Sequence, residues 1–266
     1  MKKLPIAFVS VATLALASTV FADNSKKTPE VVPTQAPNVS NFTPAQVTEI
    51  ESRVAAYIKK NPQVISDSFQ AAMALKQKEE LKKMEKAVVA NKSKIFQNTA
   101  DPVAGNVKGS ESLVAFMDPN CGFCKKFHKE LDALLQTNKN VKVIYKDIAI
   151  MGDPSVLAIK AMLAAKNQGK YSELQKEIYT SDKRLTKKEI MKLASSVGLD
   201  TKKLQADMKS KEIQAQIDQN LELSKTLGIN GTPTLILGEK TIAPGYLSAD
   251  DLKTKLKEAS SPATPK

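Results

Sequence analysis

Cysteine and histidine are the scarce residues of this chain, two of the first and one of the second among 266 residues. So few thiols exclude a disulfide-stapled scaffold, and the core has to come from apolar packing. A closed zinc site takes four ligands, more than these residues supply. Arg-rich blocks with interleaved aromatics are also missing. Although 40 Lys and Arg outweigh 28 Asp and Glu, the excess is lysine scattered among glutamates on helical faces. That pattern reads as a solvated surface and excludes a nucleic-acid partner, with attraction to anionic lipid or acidic surfaces a minor expectation. Beyond the first residues no stretch approaches the ~18 consecutive apolar residues of a membrane-spanning helix.

Both cysteines fall in one motif, Cys121-Gly122-Phe123-Cys124. The apolar run Leu113 to Met117 precedes it, a turn-forming Asp118-Pro119-Asn120 interrupts, and Phe127, Leu131 and Leu134 then recur at helical spacing. The pattern is strand, turn, helix, with the cysteine pair at the helix start and Phe116, Phe127 and Leu131 in the core. Two thiols within one turn are close enough to form a disulfide with little backbone movement. Unsatisfied N–H groups and the positive dipole end at a helix start favour thiolate, and such placement brings a cysteine pKa to roughly 3.5 to 7.5. Cys121 is therefore assigned as the exposed nucleophile and Cys124 as the buried resolving thiol, together a redox-active disulfide. An inert structural disulfide is disfavoured, because so tight a loop removes little unfolded-state entropy.

In chain order, residues 1–22 combine Lys2-Lys3, an apolar stretch and small residues at Val20 and Ala22. That is a secretory signal cut between Ala22 and Asp23, giving a periplasmic or secreted protein. Residues 23–42 are rich in Pro, Ser, Thr and Asn and form a disordered linker. Residues 43–98 form a helical arm: Thr43-Pro44 caps a helix carrying Val47, Ile50, Val54 and Ile58 on one face. A second helix runs from Pro62 to Gln97 without glycine or internal proline. At 1.5 Å per residue it reaches about 50 Å, longer than one small domain covers. Its apolar stripe needs another surface, most simply the same segment of a second chain, giving a homodimer or higher oligomer.

Residues 99–259 change in character. Turn residues fill the stretch from Asp101 to Gly109, and Val141 to Ile148 reads as a second strand. Residues 154–228 are a helical insertion, with helices at Val156–Asn167, Tyr171–Tyr179, Thr186–Val197, Thr201–Met208 and Ile213–Leu227. The strands Thr234–Leu237 and Lys240–Ala243 flank Gly238-Glu239, a two-residue hairpin signal. A helix from Ser248 to Lys257 follows, and residues 260–266 are a polar tail.

Strand, Cys-x-x-Cys helix, strand, helical block and then Gly231-Thr232-Pro233-Thr234 before a hairpin and a last helix resembles the DsbA family of thiol:disulfide oxidoreductases. The arm with Tyr57-Ile58-Lys59-Lys60-Asn61-Pro62 is similar to the stalk of its oligomerising, ScsC-like branch. The resemblance implies an α/β, thioredoxin-like fold with an inserted helical domain, preceded by the N-terminal helical arm. It implies an enzyme that oxidises, isomerises or reduces disulfides in unfolded or misfolded cysteine-containing secreted proteins, recharged by a membrane redox partner, with no cofactor and no metal. It also makes Pro233 a cis proline beside the cysteines, with the Thr232 backbone and Pro233 as substrate contacts; Phe123, which departs from the family's dipeptide, is expected as an apolar contact to unfolded substrates. In the family a buried acid stands six residues before the first cysteine, where this chain has Ala115. Proton handling for Cys124 then falls to Lys146, Asp118 or water. His128, four residues after Cys124, is expected as a packed helix residue. The alternative function is a copper-handling or surface-interaction protein using the two thiols as soft ligands, although Met-rich and His-rich segments are lacking.

Overall fold

The run Leu113 to Met117 is apolar without alternation, the mark of a strand covered on both faces, and the sheet is built around it. The computed structural model describes residues 42–260. The expected signal peptide, the linker up to residue 41 and the tail from residue 261 lie outside the described residues.

The strands are β1 (Val103–Gly105), β2 (Glu111–Met117), β3 (Val141–Asp147), β4 (Thr234–Leu237) and β5 (Thr241–Pro244), and they lie in the order β1-β3-β2-β4-β5. Only β2 and β3 run parallel; the other pairings are antiparallel. The helices are α1 (Pro44–Lys60), α2 (Gln63–Ala90), α3 (Lys92–Phe96), α4 (Gly122–Thr137), α5 (Asp153–Lys166), α6 (Tyr171–Thr180), α7 (Lys187–Ser196), α8 (Thr201–Asp207), α9 (Lys211–Thr226) and α10 (Ala249–Ser260). The five expected insertion helices are α5 to α9, and this is the α/β fold that the resemblance implies. Among the described residues no helix is long and apolar enough to cross a membrane.

Alternating side chains of β2 divide the core in two. Leu113, Ala115 and Met117 pack with Phe127, Leu131 and Leu134 of α4 and with the insertion helices. Val114 and Phe116 face the other way, toward Ile144, Ile148, Leu223 and Leu227. This second core also takes in Val88 and Ile95, both fully buried, with Leu81 and Met84 packed at its margin.

The described chain divides into two compact units between Ile65 and Ser66. The physical reason is this burial: the last third of the arm is a wall of the second core. The helix expected from Pro62 to Gln97 also breaks at Asn91, whose side-chain amide donates to the Ala87 carbonyl at 2.9 Å. Asparagine competes in this way for backbone groups and ends helices. In the first unit, α1 starts with the capping box of Thr43 and Gln46, buries no residue, and leaves Ile50, Val54 and Tyr57 exposed.

Two further expectations are corrected. Residues 103–105 form a short edge strand instead of a turn, and Leu237 pairs with Thr241, so the hairpin loop has three residues, not two. Gly238 adopts φ +60° in that loop, and a Cβ there would lie 2.9 Å from the Ala259 carbonyl.

The second core makes a graded prediction. Ile95→Ala should cost about 2–5 kcal/mol of unfolding free energy, whereas Val89→Ala, at an exposed neighbour of Val88, should change it by less than about 0.5 kcal/mol. Urea unfolding of the full chain reads both, and equal effects would refute the packing of α3 on the sheet.

Candidate active site

β2 delivers the chain to Asp118-Pro119-Asn120, and Cys121 follows as the N-cap of α4, with φ −76° and ψ 119°. Asp118 is fully buried and holds this turn in place. One of its oxygens accepts from the Asn120 N–H at 2.8 Å and the Ser155 hydroxyl at 2.6 Å. The other accepts from the N–H groups of Ile150 at 2.9 Å and Met151 at 3.0 Å. The carboxylate thus ties the turn before the cysteines to the loop after β3 and to α5. With both oxygens engaged twice, its observed role is structural, and the expectation that it serves Cys124 as a proton carrier is corrected.

The other half of the site comes from far along the chain. Phe116 pairs with Thr234, which sets the start of β4 beside the end of β2. The Gly231-to-Thr234 loop is held by the Thr234 hydroxyl donating to the Gly231 carbonyl at 2.7 Å, and by the Gly245 N–H donating to the Pro233 carbonyl at 2.8 Å. The Thr232–Pro233 peptide is cis. The Cys121 thiol donates to the Thr232 carbonyl at 3.2 Å, which brings together residues 111 apart in sequence.

Both cysteines are free thiols in the structure. Cys121 retains 8% of its surface and Cys124 none. Both thus count as buried, and Cys121, though it keeps more surface than Cys124, is less exposed than its assignment as an exposed nucleophile implied. Burial pushes the Cys124 thiol well above its ordinary range, and its contacts with the Asp118 backbone and the Thr232 side chain only partly offset this. Phe123 is 62% exposed on the first turn of α4, with the Lys126 ammonium 5.6 Å from its ring centroid, so it does not pack on its own domain.

Lys146, another expected proton carrier, shares side-chain parity with Ile144 and Ile148 on the second-core face. There it forms a buried ion pair with Asp101 and donates to the Lys94 carbonyl at 2.7 Å. Its sheet face is opposite to that of Cys124. His128 is buried and stacks on Tyr179 with centroids 5.0 Å apart. Burial pulls its pKa below the ordinary value, so it is neutral at pH 7.

Sequence reasoning missed two groups. Ile150 and Met151 are exposed in the loop gripped by Asp118; an apolar run continuing past the end of β3 was their signal. Asp147 is buried at the end of β3, where Tyr171 donates to it at 2.6 Å. Burial pushes its carboxyl up to about 7. Its signal was parity: it falls in step with the buried Val143 and Tyr145. Among the described residues no group of three or more His, Cys, Asp or Glu is arranged to hold a metal ion.

Comparison with known proteins places this geometry. A thioredoxin family model matches residues 97–258. A thioredoxin-like oxidoreductase from Silicibacter pomeroyi DSS-3 is 33% identical with a TM-score of 0.62, over 64% of this chain and 97% of that one. The thiol-disulfide exchange protein alpha-DsbA2 from Wolbachia pipientis is 26% identical with a TM-score of 0.62, over 66% and 95% of the respective chains. ScsC from Proteus mirabilis in a transitional conformation is 26% identical with a TM-score of 0.60, over 83% and 98%. A curated relative, the Na(+)/H(+) antiporter NhaA of Herminiimonas arsenicoxydans, is 21% identical over 157 residues, 57% of this chain. The match spans only 25% of that protein's length.

The raised Asp147 sets a sign for stability against pH. An unfolded aspartate ionises near pH 4, whereas the folded group holds its proton to about pH 7. Its contribution is therefore fully present below about pH 4 and is lost as pH rises to about 7, at about 1.4 kcal/mol per pH unit. Asp147→Asn should gain stability over the parent across that window. Urea midpoints at several pH values check this, and a constant difference would refute it.

Proposed function

The chain belongs to the thioredoxin family, with DsbA-like and ScsC-like thiol:disulfide oxidoreductases among its structural neighbours, and on that premise we propose that it exchanges disulfides with cysteine-containing client proteins through Cys121 and Cys124. The observation that carries this reading is the 3.2 Å contact between the Cys121 thiol and the Thr232 carbonyl. It sets the more reachable sulfur beside a short piece of backbone next to which an extended client segment can lie, as peptides do at sheet edges.

As isomerase, the Cys121 thiolate attacks a client disulfide to form a mixed disulfide, and a different client thiolate then attacks that bond, forming the new client disulfide and returning Cys121 as thiolate. As reductant, the Cys121 thiolate attacks a client disulfide and forms the same mixed disulfide. One client sulfur leaves as a thiol. Cys124 then attacks the Cys121 sulfur, the intramolecular disulfide forms, and the second client sulfur departs. As oxidant, the same steps run in reverse. Burial keeps Cys124 protonated until it is needed, which favours a long-lived mixed disulfide. The exposed Phe123, Ile150 and Met151 offer apolar contact to unfolded clients. Thiol exchange requires no organic cofactor or metal.

We further read the protein as exported, cut after Ala22, active in an oxidising compartment and recharged by a membrane redox partner. The exposed Ile50, Val54, Tyr57 and Ile58 of α1 are covered in this reading by the same helix of a second copy, giving a homodimer or higher oligomer. Two sites across one assembly suit isomerase work on clients too misfolded for a single site to hold.

Cys121→Ser should abolish exchange with a scrambled-disulfide client, and Cys124→Ser should accumulate a client-linked adduct on nonreducing gels. Exchange at the parent rate in Cys121→Ser would overturn the assignment. The double substitution Ile50→Glu, Val54→Glu in the full chain should reduce the solution mass to one protomer and lower rescue of scrambled client several-fold. A parent chain that is already monomeric would remove the arm from the reading.

A further inference from the structure

Resolution of the mixed disulfide needs a proton taken from a thiol that water does not reach. Cys124 is fully buried, Ala115 offers no acid, Asp118 is engaged by four donors, and Lys146 is on the other sheet face. Another acid is on the correct face. In the β2–β3 register Met117 is opposite Asp147 and Ala115 is opposite Tyr145. Tyr145, Met117, Ala115 and Cys124 all belong to the core on the α4 side of the sheet. The Asp147 carboxyl is thus one strand over and two residues further along from Ala115, under Tyr171 of α6.

Its hydrogen bonding is half complete. One oxygen accepts from the Tyr171 hydroxyl at 2.6 Å, and Gln175 in turn donates to Tyr171 at 3.0 Å. The other carboxyl oxygen is buried with no hydrogen-bond partner, and so is the hydroxyl of Tyr179. Buried polar atoms are rarely left unmatched. Both atoms are on the sheet side that carries Cys124, the thiol that must lose a proton. Burial first, then Asp147 and Cys124, push the Tyr179 phenol upward, and its ring is fixed by stacking on His128, one helical turn after Cys124.

We propose that Asp147 is the proton acceptor for Cys124 during disulfide resolution, with the Tyr179 hydroxyl as the relay between them. The proposal rests on the redox assignment above and deepens it. The Asp147 carboxylate takes the Cys124 proton by way of the phenol, which accepts one proton as it gives up another. The Cys124 thiolate attacks the Cys121 sulfur, the Cys121–Cys124 bond forms as the mixed disulfide breaks, and the departing sulfur leaves with the electron pair. The carboxyl then returns its proton to the leaving thiolate or to solvent. In the opposite direction the carboxylic acid protonates Cys124 as it leaves.

Other groups face Asp147 but do not substitute for it. On α4, His128 is neutral and lies 3.8 Å from Asp132. Tyr145 on β3 and Tyr171 on α6 are phenols that burial pushes far above neutrality. Asp118 is held by its donors, and Asp101 is paired with Lys146. From α9 only the neutral Asn220 amide approaches, donating to the Asp147 carbonyl at 3.3 Å. Asp147 is left as the group in this core whose charge changes near pH 7.

The test uses the reduced full chain and a symmetric aromatic disulfide that releases a coloured thiolate, followed by stopped flow from pH 5 to pH 9. The first equivalent released reports attack by Cys121, and the second reports resolution by Cys124. In Asp147→Asn the first phase should match the parent. The second should slow at least about tenfold at pH 7, as loss of a general base does, and its inflection near pH 7 should disappear. Tyr179→Phe should slow the second phase in the same way. A second phase in Asp147→Asn with the parent's rate or pH profile would overturn the proposal. If Asp147→Asn does not fold, an unchanged second phase in Tyr179→Phe overturns it instead. Failure of the redox assignment would look different: Cys121→Ser would retain the first phase.

Discussion

Antiparallel pairing of β4 with the end of β2 is the constraint on which the site depends. With Phe116 opposite Thr234, the backbone two residues before Thr234 meets the residue that begins α4. The contact between Cys121 and Thr232 therefore follows from strand register and needs no long side chain to span the gap. A slip of one residue would exchange the sheet faces and bury the wrong half of β4. The helical insertion between β3 and β4 can thus be large without loosening the site, because sheet pairing fixes where the chain returns.

Asymmetry between two chemically identical thiols arises from burial. Cys121 keeps a sliver of surface at the helix start, while Cys124, one turn inward, has none and is held in the protonated form. Asp118 makes that geometry durable: four donors converge on one buried carboxylate and lock the turn before Cys121 to the loop carrying Ile150 and Met151. Charge-assisted bonds of this kind are among the stronger ones available to a backbone loop. The same acid therefore positions the turn that carries Cys121 and the apolar rim beside it.

What was legible in the sequence was local and periodic. The strand-turn-helix around the cysteines and the five insertion helices were readable because each has composition cues within about ten residues, whereas the proline loop's place beside the cysteines came only from the family resemblance. β1 escaped because three edge residues cannot display alternation. The break at Asn91 escaped because its cause is a side chain bonding back to its own helix, together with a core that only the folded sheet supplies. Asp147 escaped for a related reason: an acid closing a strand looks like a solvent-facing end until α6 is laid over it. Lys146 and Asp118, the expected proton carriers, were reasonable from chain position, and strand parity and hydrogen-bond saturation respectively gave them other work.

Val88 and Ile95 make the amino-terminal helices less separable than their polar middle suggests. A helical segment whose last third is a wall of the sheet's second core cannot be grafted, shortened or exchanged at the point where its helices end. The seam available to recombination or engineering lies upstream of Leu81, before apolar contact with the sheet begins. Any variation in the length of these helices is therefore confined to residues that bear no share of the sheet's packing.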